Sequence, residues 1–259
     1  MNKSPVLLAI FIIALTFLLG PFLIILITSF SGDSSMAFPP EGFSLEWFAK
    51  VLAVRSFRDS FWISLQIALE ATLTVVVLGT PVAYALVRFH FRGQDLVEVL
   101  FSLPVIVPEL VLGFALLRYF VLFSNISILT GLYLGHTAIL FPFAVRVIST
   151  SLRNFDPAIE EAAISLGASR LRSFLLIVMP NLRAALLATF ILTFITSFNN
   201  VSVSLFLTGP GITTLPISML GYMEQYFDPT IAALSSVIIV ITFTIVQTAE
   251  RTLNLSRHM

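Results

Sequence analysis

Glu160 and Glu161 stand side by side in the stretch Asp156-Pro157-Ala158-Ile159-Glu160-Glu161-Ala162-Ala163, and what they offer is placed charge. Asp156 followed by proline reads as a helix N-cap with proline at the first helical position. That puts both carboxylates near the positive end of the helix dipole. Gly167 can take the left-handed conformation that closes the helix, and Ser169 can cap the next one. Ala162, Ala163, Gly167 and Ala168 give this turn a small-residue face that another backbone can approach closely.

A second group is uncharged. Thr189, Thr193, Ser197, Asn200 and Ser204 follow one another at spacings of 4, 4, 3 and 4, which places them on one face of a helix. In an apolar helix such a stripe either lines a polar path or bonds across to a packed neighbour. Asn200 is the member that best suits a path, and Asn199 points about 100° away from it. Gln66, Glu70 and Thr74 share a face in the same way. Glu70 can attract a cation or pair with a basic group such as Arg118. Glu109 follows Pro108, where proline frees a backbone carbonyl and kinks a helix; the carboxylate there suits a gate or a hinge.

Several chemistries are excluded. The chain has no cysteine, so thiolate catalysis, disulfides and cysteine-held metals are out. Its three histidines, His90, His136 and His258, are scattered and read as loop or packing residues, so no metal site is expected. No G-x-x-x-x-G-K-[ST] phosphate loop, H-E-x-x-H or G-x-S-x-G occurs, and Gly209-Pro210-Gly211 reads as a turn. Balanced charge, 14 basic against 14 acidic residues, gives no bulk attraction for nucleic acid.

The elements that position these groups are membrane helices. The chain is 58% hydrophobic and 11% charged, too apolar for a soluble fold of its 259 residues. Apolar runs at about 5–30, 61–87, 96–123, 126–150, 182–207 and 230–249 each reach bilayer length, and backbone in lipid must be helical. The first is too long for a cleaved signal and reads as a retained anchor. Six spans make an all-α polytopic chain, read as one domain over 1–259, with a break at Ser124-Asn125 between the third and fourth. With the N-terminus inside, ten of the 14 basic residues (Lys3, Arg88, Arg92, Arg146, Arg153, Arg170, Arg172, Arg183, Arg251, Arg257) are cytoplasmic. Lys50, Arg55, Arg58 and Arg118 fall outside, so both termini are expected in the cytoplasm. The outer segment 31–60 carries Phe43-Ser44-Leu45-Glu46-Trp47-Phe48, which reads as an interfacial helix with Trp47 at headgroup level. The segment 151–181 is cytoplasmic and holds the two capped helices, the second stopped by Pro180.

Glu161-Ala162-Ala163, Gly167, Ile177 and Pro180 resemble the EAA signature of bacterial ABC importer permeases, with Met179 where leucine is usual. The six-span layout is similar to the type I importer fold. Leu103-Pro104-Val105-Ile106-Val107-Pro108-Glu109, Ser197-Phe198-Asn199-Asn200 and Leu205-Phe206-Leu207 resemble the polyamine-type permeases. The resemblance implies a bacterial inner-membrane subunit that binds no cofactor itself. It implies a second permease, two cytoplasmic ATPases holding ATP and Mg, and an extracytoplasmic solute-binding protein as partners. It assigns ATPase coupling to the turn formed by Glu160, Glu161, Ala162, Ala163, Gly167, Ala168 and Ser169. Neutral Asn199 and Asn200 stand where polyamine permeases often carry acids, so an amino-acid-like solute or a phosphonate stays open beside an amine. A secondary transporter would need inverted repeats, and none is visible.

Overall fold

The computed structural model describes residues 5–124 and 126–253. Asn125, Lys3, Arg257 and His258 lie outside the described residues, and with them the expected positions of the termini. Among the described residues the secondary structure is helical: α1 Pro5–Thr28, α2 Glu46–Ala53, α3 Arg55–Arg88, α4 Gln94–Ile106, α5 Glu109–Tyr119, α6 Ile128–Asn154, α7 Pro157–Ser165, α8 Arg170–Ser173, α9 Met179–Asn181, α10 Arg183–Phe198, α11 Ser204–Leu207, α12 Leu215–Gln225 and α13 Thr230–Leu253. Single π-helical turns follow α5 and α8. Gly209 and Ile212 exchange two 3.0 Å backbone bonds, so Gly209-Pro210-Gly211 is indeed a turn.

Four of these helices are long and apolar enough to cross a membrane: α1, α3, α6 and α13. The helical run Arg170–Asn181 and α10 together would make a fifth, bent by 68° at their junction. The expected third and fifth spans are not continuous. The run 96–123 is interrupted at Val107-Pro108, because proline cannot donate to the preceding turn and holds the chain extended there. The run 182–207 ends its helix at Phe198 and resumes only at Ser204. Pro180 does not stop a helix; the π-turn before it accommodates the ring, and the bend comes at Leu182. The second span starts earlier than expected, at Arg55.

Contacts divide the chain into two compact units, one of residues up to Asp59 with Ser218–Ile245, the other of Ser60–Ile217 with Val246 onward. In the first unit α1 is apolar on every face and almost wholly exposed, as befits a helix solvated by lipid. The expected interfacial helix lies at Glu46–Ala53, and Trp47 is buried against the rest of its unit. Its indole N–H needs an acceptor away from water and finds the Ser31 carbonyl at 2.8 Å.

The second unit has two buried clusters. Ile67, Ala71 and Val75 of α3 repeat every fourth residue and meet Leu132, Ile139 and Leu140 of α6, with Val203 and Leu207 beside them. Nearer the other end of α3, Tyr84 and Leu86 pack with Ile148, Leu152, Val178 and Leu182. α5 and α11 approach each other at Gly113, where an added Cβ would lie 3.1 Å from the Val203 Cα and 3.2 Å from the Ser202 carbonyl oxygen. Backbone cannot yield cheaply, so Gly113→Val should cost about 1–3 kcal/mol and lower the thermal midpoint of the purified protein. Gly20→Ala, in open space on α1, should leave that midpoint unchanged or slightly raised.

Candidate functional site

The two helix breaks meet. At the second, the Asn200 side chain is buried and its Oδ1 accepts from the Val203 and Ser204 backbone N–H groups at 3.0 and 3.3 Å. These are donors that the start of α11 leaves without helical partners, and in lipid no water would satisfy them. The Asn200 amide Nδ2 donates to Glu109 Oε2 at 3.0 Å, and Glu109 is the first residue of α5 after the Pro108 break. The half-exposed Glu109 carboxylate thus sits at an N-terminus of a helix, where the dipole favours negative charge. Among the described residues its other oxygen has no hydrogen-bond partner.

His136 of α6 bridges the same break. The ring is buried, with Nδ1 2.8 Å from Ser197 Oγ before the gap and Nε2 3.0 Å from Ser204 Oγ after it. The sequence reads this histidine as a loop or packing residue. The signal available was a polar residue on α6 at the depth of a serine pair, but nothing in the sequence says which span packs on which.

The polar stripe on α10 is real, yet it faces inward. Thr189, Thr193, Ser197, Asn200 and Ser204 are all buried within this chain. Thr189 and Thr193 donate to carbonyls one turn back, and the serines to or from His136. Asn200 is at the helix break, not mid-span in a continuous helix as expected. Asn199 is exposed, and its amide returns to the Ile195 carbonyl at 3.0 Å. Glu70 accepts from Gln66 at 2.9 Å and does not pair with Arg118; Thr74 reaches the Tyr133 hydroxyl at 2.9 Å.

A separate site forms on the 151–181 segment. Asp156 Oδ1 accepts from the Ala158 N–H, Ser169 Oγ from the Arg172 N–H, and Gly167 has φ +95°, so the caps read from sequence are the caps that form. The Ala168 N–H bonds the Ala163 carbonyl at 3.1 Å, closing α7 in a Schellman turn. The two glutamates part company. Glu161 is exposed, whereas Glu160 is buried and does far more than attend the dipole. It accepts from the Tyr84 hydroxyl and pairs with Arg88 Nε at 3.2 Å, while Arg88 Nη2 holds the Phe155 carbonyl at 3.1 Å. This clamp fixes α7 to the last turn of α3. Tyr84 and Arg88 stand four apart, on one face of that turn, a pattern that could have flagged them. Outward, Ala162 and Gly167 are exposed, Leu166 is 90% exposed, and Ile159 and Leu171 lie open beside them.

The profile described as the inner membrane component of binding-protein-dependent transport systems matches residues 75–250, which takes in both sites. The chain belongs to that family. It is 32% identical over 245 residues to the putrescine transport permease PotI of Escherichia coli, covering 92% of this chain and 86% of that one. The spermidine/putrescine permease PotC of the same species is 28% identical, with 87% and 85% covered. Among solved structures, a bacterial ABC transporter that imports alginate superposes with a TM-score of 0.68 at 19% identity, over 95% of this chain and 94% of that one. The inward-facing methionine transporter MetNI gives 0.63 at 18%, over 80% and 96%. The fold is therefore that of the importer permeases, and the chain is a permease subunit of an ABC importer. Permeases of this class work with another permease, ATPase subunits and a binding protein.

The clamp leads to a direct expectation for this permease. Glu160→Gln leaves the Arg88 charge without a carboxylate in a site 13% exposed, a loss of about 3 kcal/mol. Amide exchange across Pro157–Ser165 should quicken in Glu160→Gln and, to a smaller degree, in Tyr84→Phe. Glu161→Gln should leave it at the wild-type rate.

Proposed function

We propose that this subunit passes a small organic cation of the polyamine type, and that Glu109 is the counter-charge in its path. The observation that carries the reading is the 3.0 Å contact between Glu109 and Asn200. The acidic positions of the Ser197-Phe198-Asn199-Asn200 segment are amides here, but the contact brings a carboxylate from another helix to the same spot. A diamine crossing a membrane loses hydration that only fixed opposite charge or dipoles replace. At 4 Å and an effective dielectric of about 20 one carboxylate is worth about 4 kcal/mol, enough to decide between a cation and a neutral solute. The relatedness to putrescine and spermidine permeases supports the same class. Asn199, exposed at the end of α10, is the second group for the path.

In this reading both termini are cytoplasmic, as the distribution of basic residues favours. A second permease completes the path, and a binding protein delivers the solute from outside. Two ATPase subunits hold ATP and Mg, so this chain needs no cofactor of its own. The turn around Glu161, Ala162, Ala163, Gly167, Ala168 and Ser169 docks on one of them, with Leu166 as its apolar contact. Glu160, Tyr84 and Arg88 then carry that movement into α3. ATP and loaded binding protein drive the cycle by favouring the outward-facing state over the inward-facing one.

The test is ATP-driven uptake of labelled putrescine into proteoliposomes holding the complete assembly and its binding protein. Wild type should accumulate putrescine. Glu109→Gln should lower the rate at least about tenfold, the equivalent of 1.4 kcal/mol, while Glu46→Gln on α2 should not change it. Accumulation of a neutral or anionic solute in place of putrescine would overturn the reading.

A further inference from the structure

The first unit holds an ammonium in a built pocket, and the ammonium is its own. Lys50 Nζ lies 2.7 Å from Asp228 Oδ2 and 5.3 Å from the centroid of the Trp47 ring. The Tyr222 hydroxyl donates to the same Asp228 oxygen at 3.2 Å, and the Thr230 N–H holds the other at 3.0 Å. A carboxylate, a phenol and an aromatic face are the groups that recognise an alkylammonium. Beside them opens a cavity of about 530 Å³ lined by Lys50, Val54, Gly221, Tyr222, Gln225 and Tyr226. That size falls within the roughly 300–1,000 Å³ of small-molecule pockets.

We propose that this pocket is a primary-alkylammonium site which the chain fills with Lys50 until a solute amine displaces it. The side chains are unequal in the way a displaceable occupant requires. Asp228 is 12% exposed and fixed by three donors, while Lys50 is 40% exposed on a flexible stem. The Tyr222 and Tyr226 rings lie 4.7 Å apart, tilted by 33°, along the cavity, giving an apolar and π-rich wall for the chain between two amines. Both members of the pair stay charged. The bond to Asp228 raises the Lys50 ammonium above its ordinary value. Burial pushes the Asp228 carboxyl up, but the bonds from Lys50 and Thr230 outweigh it and hold it below the usual carboxylate range. With Lys50 in place the site is neutral, and with Lys50 withdrawn it presents one buried negative charge. Lys50 is the exposed partner, so its ammonium can swing out to water while an incoming amine takes its place on Asp228. In the orientation proposed above the pocket is extracytoplasmic, where a binding protein would release its solute. The purpose rests on the amine reading; the binding chemistry does not.

The experiment is chemical rescue. The complete assembly carrying Lys50→Ala is heated with increasing n-butylammonium, which supplies the lost ammonium without its tether. Its thermal midpoint should climb with amine concentration, by mass action on the folded state. Tetramethylammonium, which has no N–H to donate, and n-butanol should not raise it. Wild type should need about tenfold more n-butylammonium, because Lys50 competes. The double variant Lys50→Ala/Asp228→Asn should not respond. In the purified full chain carrying Trp62→Phe and the native Lys50, Trp47 is the remaining tryptophan, and the same titration should change its fluorescence as Lys50 leaves its ring, a readout that survives if Lys50→Ala fails to fold. No rescue together with unchanged Trp47 emission would overturn the proposal, as would equal rescue of the double variant. Should putrescine uptake be absent while rescue occurs, the substrate reading fails and the pocket stands; uptake without rescue removes the pocket alone.

Discussion

A helix can be broken inside a bilayer only if something else takes up the hydrogen bonds it gives away. Asn200 is that something. Its carbonyl oxygen serves the two N–H groups stranded after α10, and its amide is left to hold Glu109 across the gap. The other break, at Pro108, needs no such service for the missing proline N–H. So one buried amide joins two discontinuities, and it fixes the Glu109 carboxylate. Close packing of Gly113 on Val203 follows from the same meeting of α5 and α11, and His136 secures the far side through Ser197 and Ser204. A residue that satisfies backbone and charge together cannot be exchanged for an apolar one without opening both ends.

The other end of α3 obeys a different constraint. There a short surface helix is held by more than its caps. Glu160 turns inward to Tyr84 and Arg88, which gives α7 a buried polar attachment to a spanning helix. Buried ion pairs are poor sources of net stability but costly to break, so the attachment is firm. The outward face keeps Gly167 free of neighbours and Leu166 in the open, so the buried attachment and the open face lie on different sides of one short helix.

Local signals were legible in the sequence because local chemistry decides them. Asp156, Ser169 and Gly167 cap and close as their types require, and the apolar runs at α1, α3, α6 and α13 become long helices. The importer family was legible too, from the spacing around Glu161 and Gly167. What the sequence concealed depends on contacts between distant elements. In the run from 182 to 207 the polar pair Asn199-Asn200 follows Phe198 but suits a polar helix face as well as a stop, since the break is stabilised by Asn200 bonding forward and by Glu109 from a different helix. Trp47 looked interfacial because its burial depends on the Ser31 carbonyl. Periodicity found the α10 stripe but could not say that α6 covers it, and the role of Glu160 needed Tyr84 and Arg88, some seventy residues away in sequence.

The central claim, that Asn200 and Glu109 form one amide–carboxylate unit in the path, is tested most directly by exchanging the two groups. Asn200→Asp places two carboxylates in contact, Glu109→Gln leaves two amides, and the double variant restores one of each with positions reversed. In putrescine uptake by the full assembly, each single change should slow transport about tenfold or more, and the double variant should recover most of the wild-type rate. A double variant as slow as the product of its two single changes would show the residues to be independent and contradict the account.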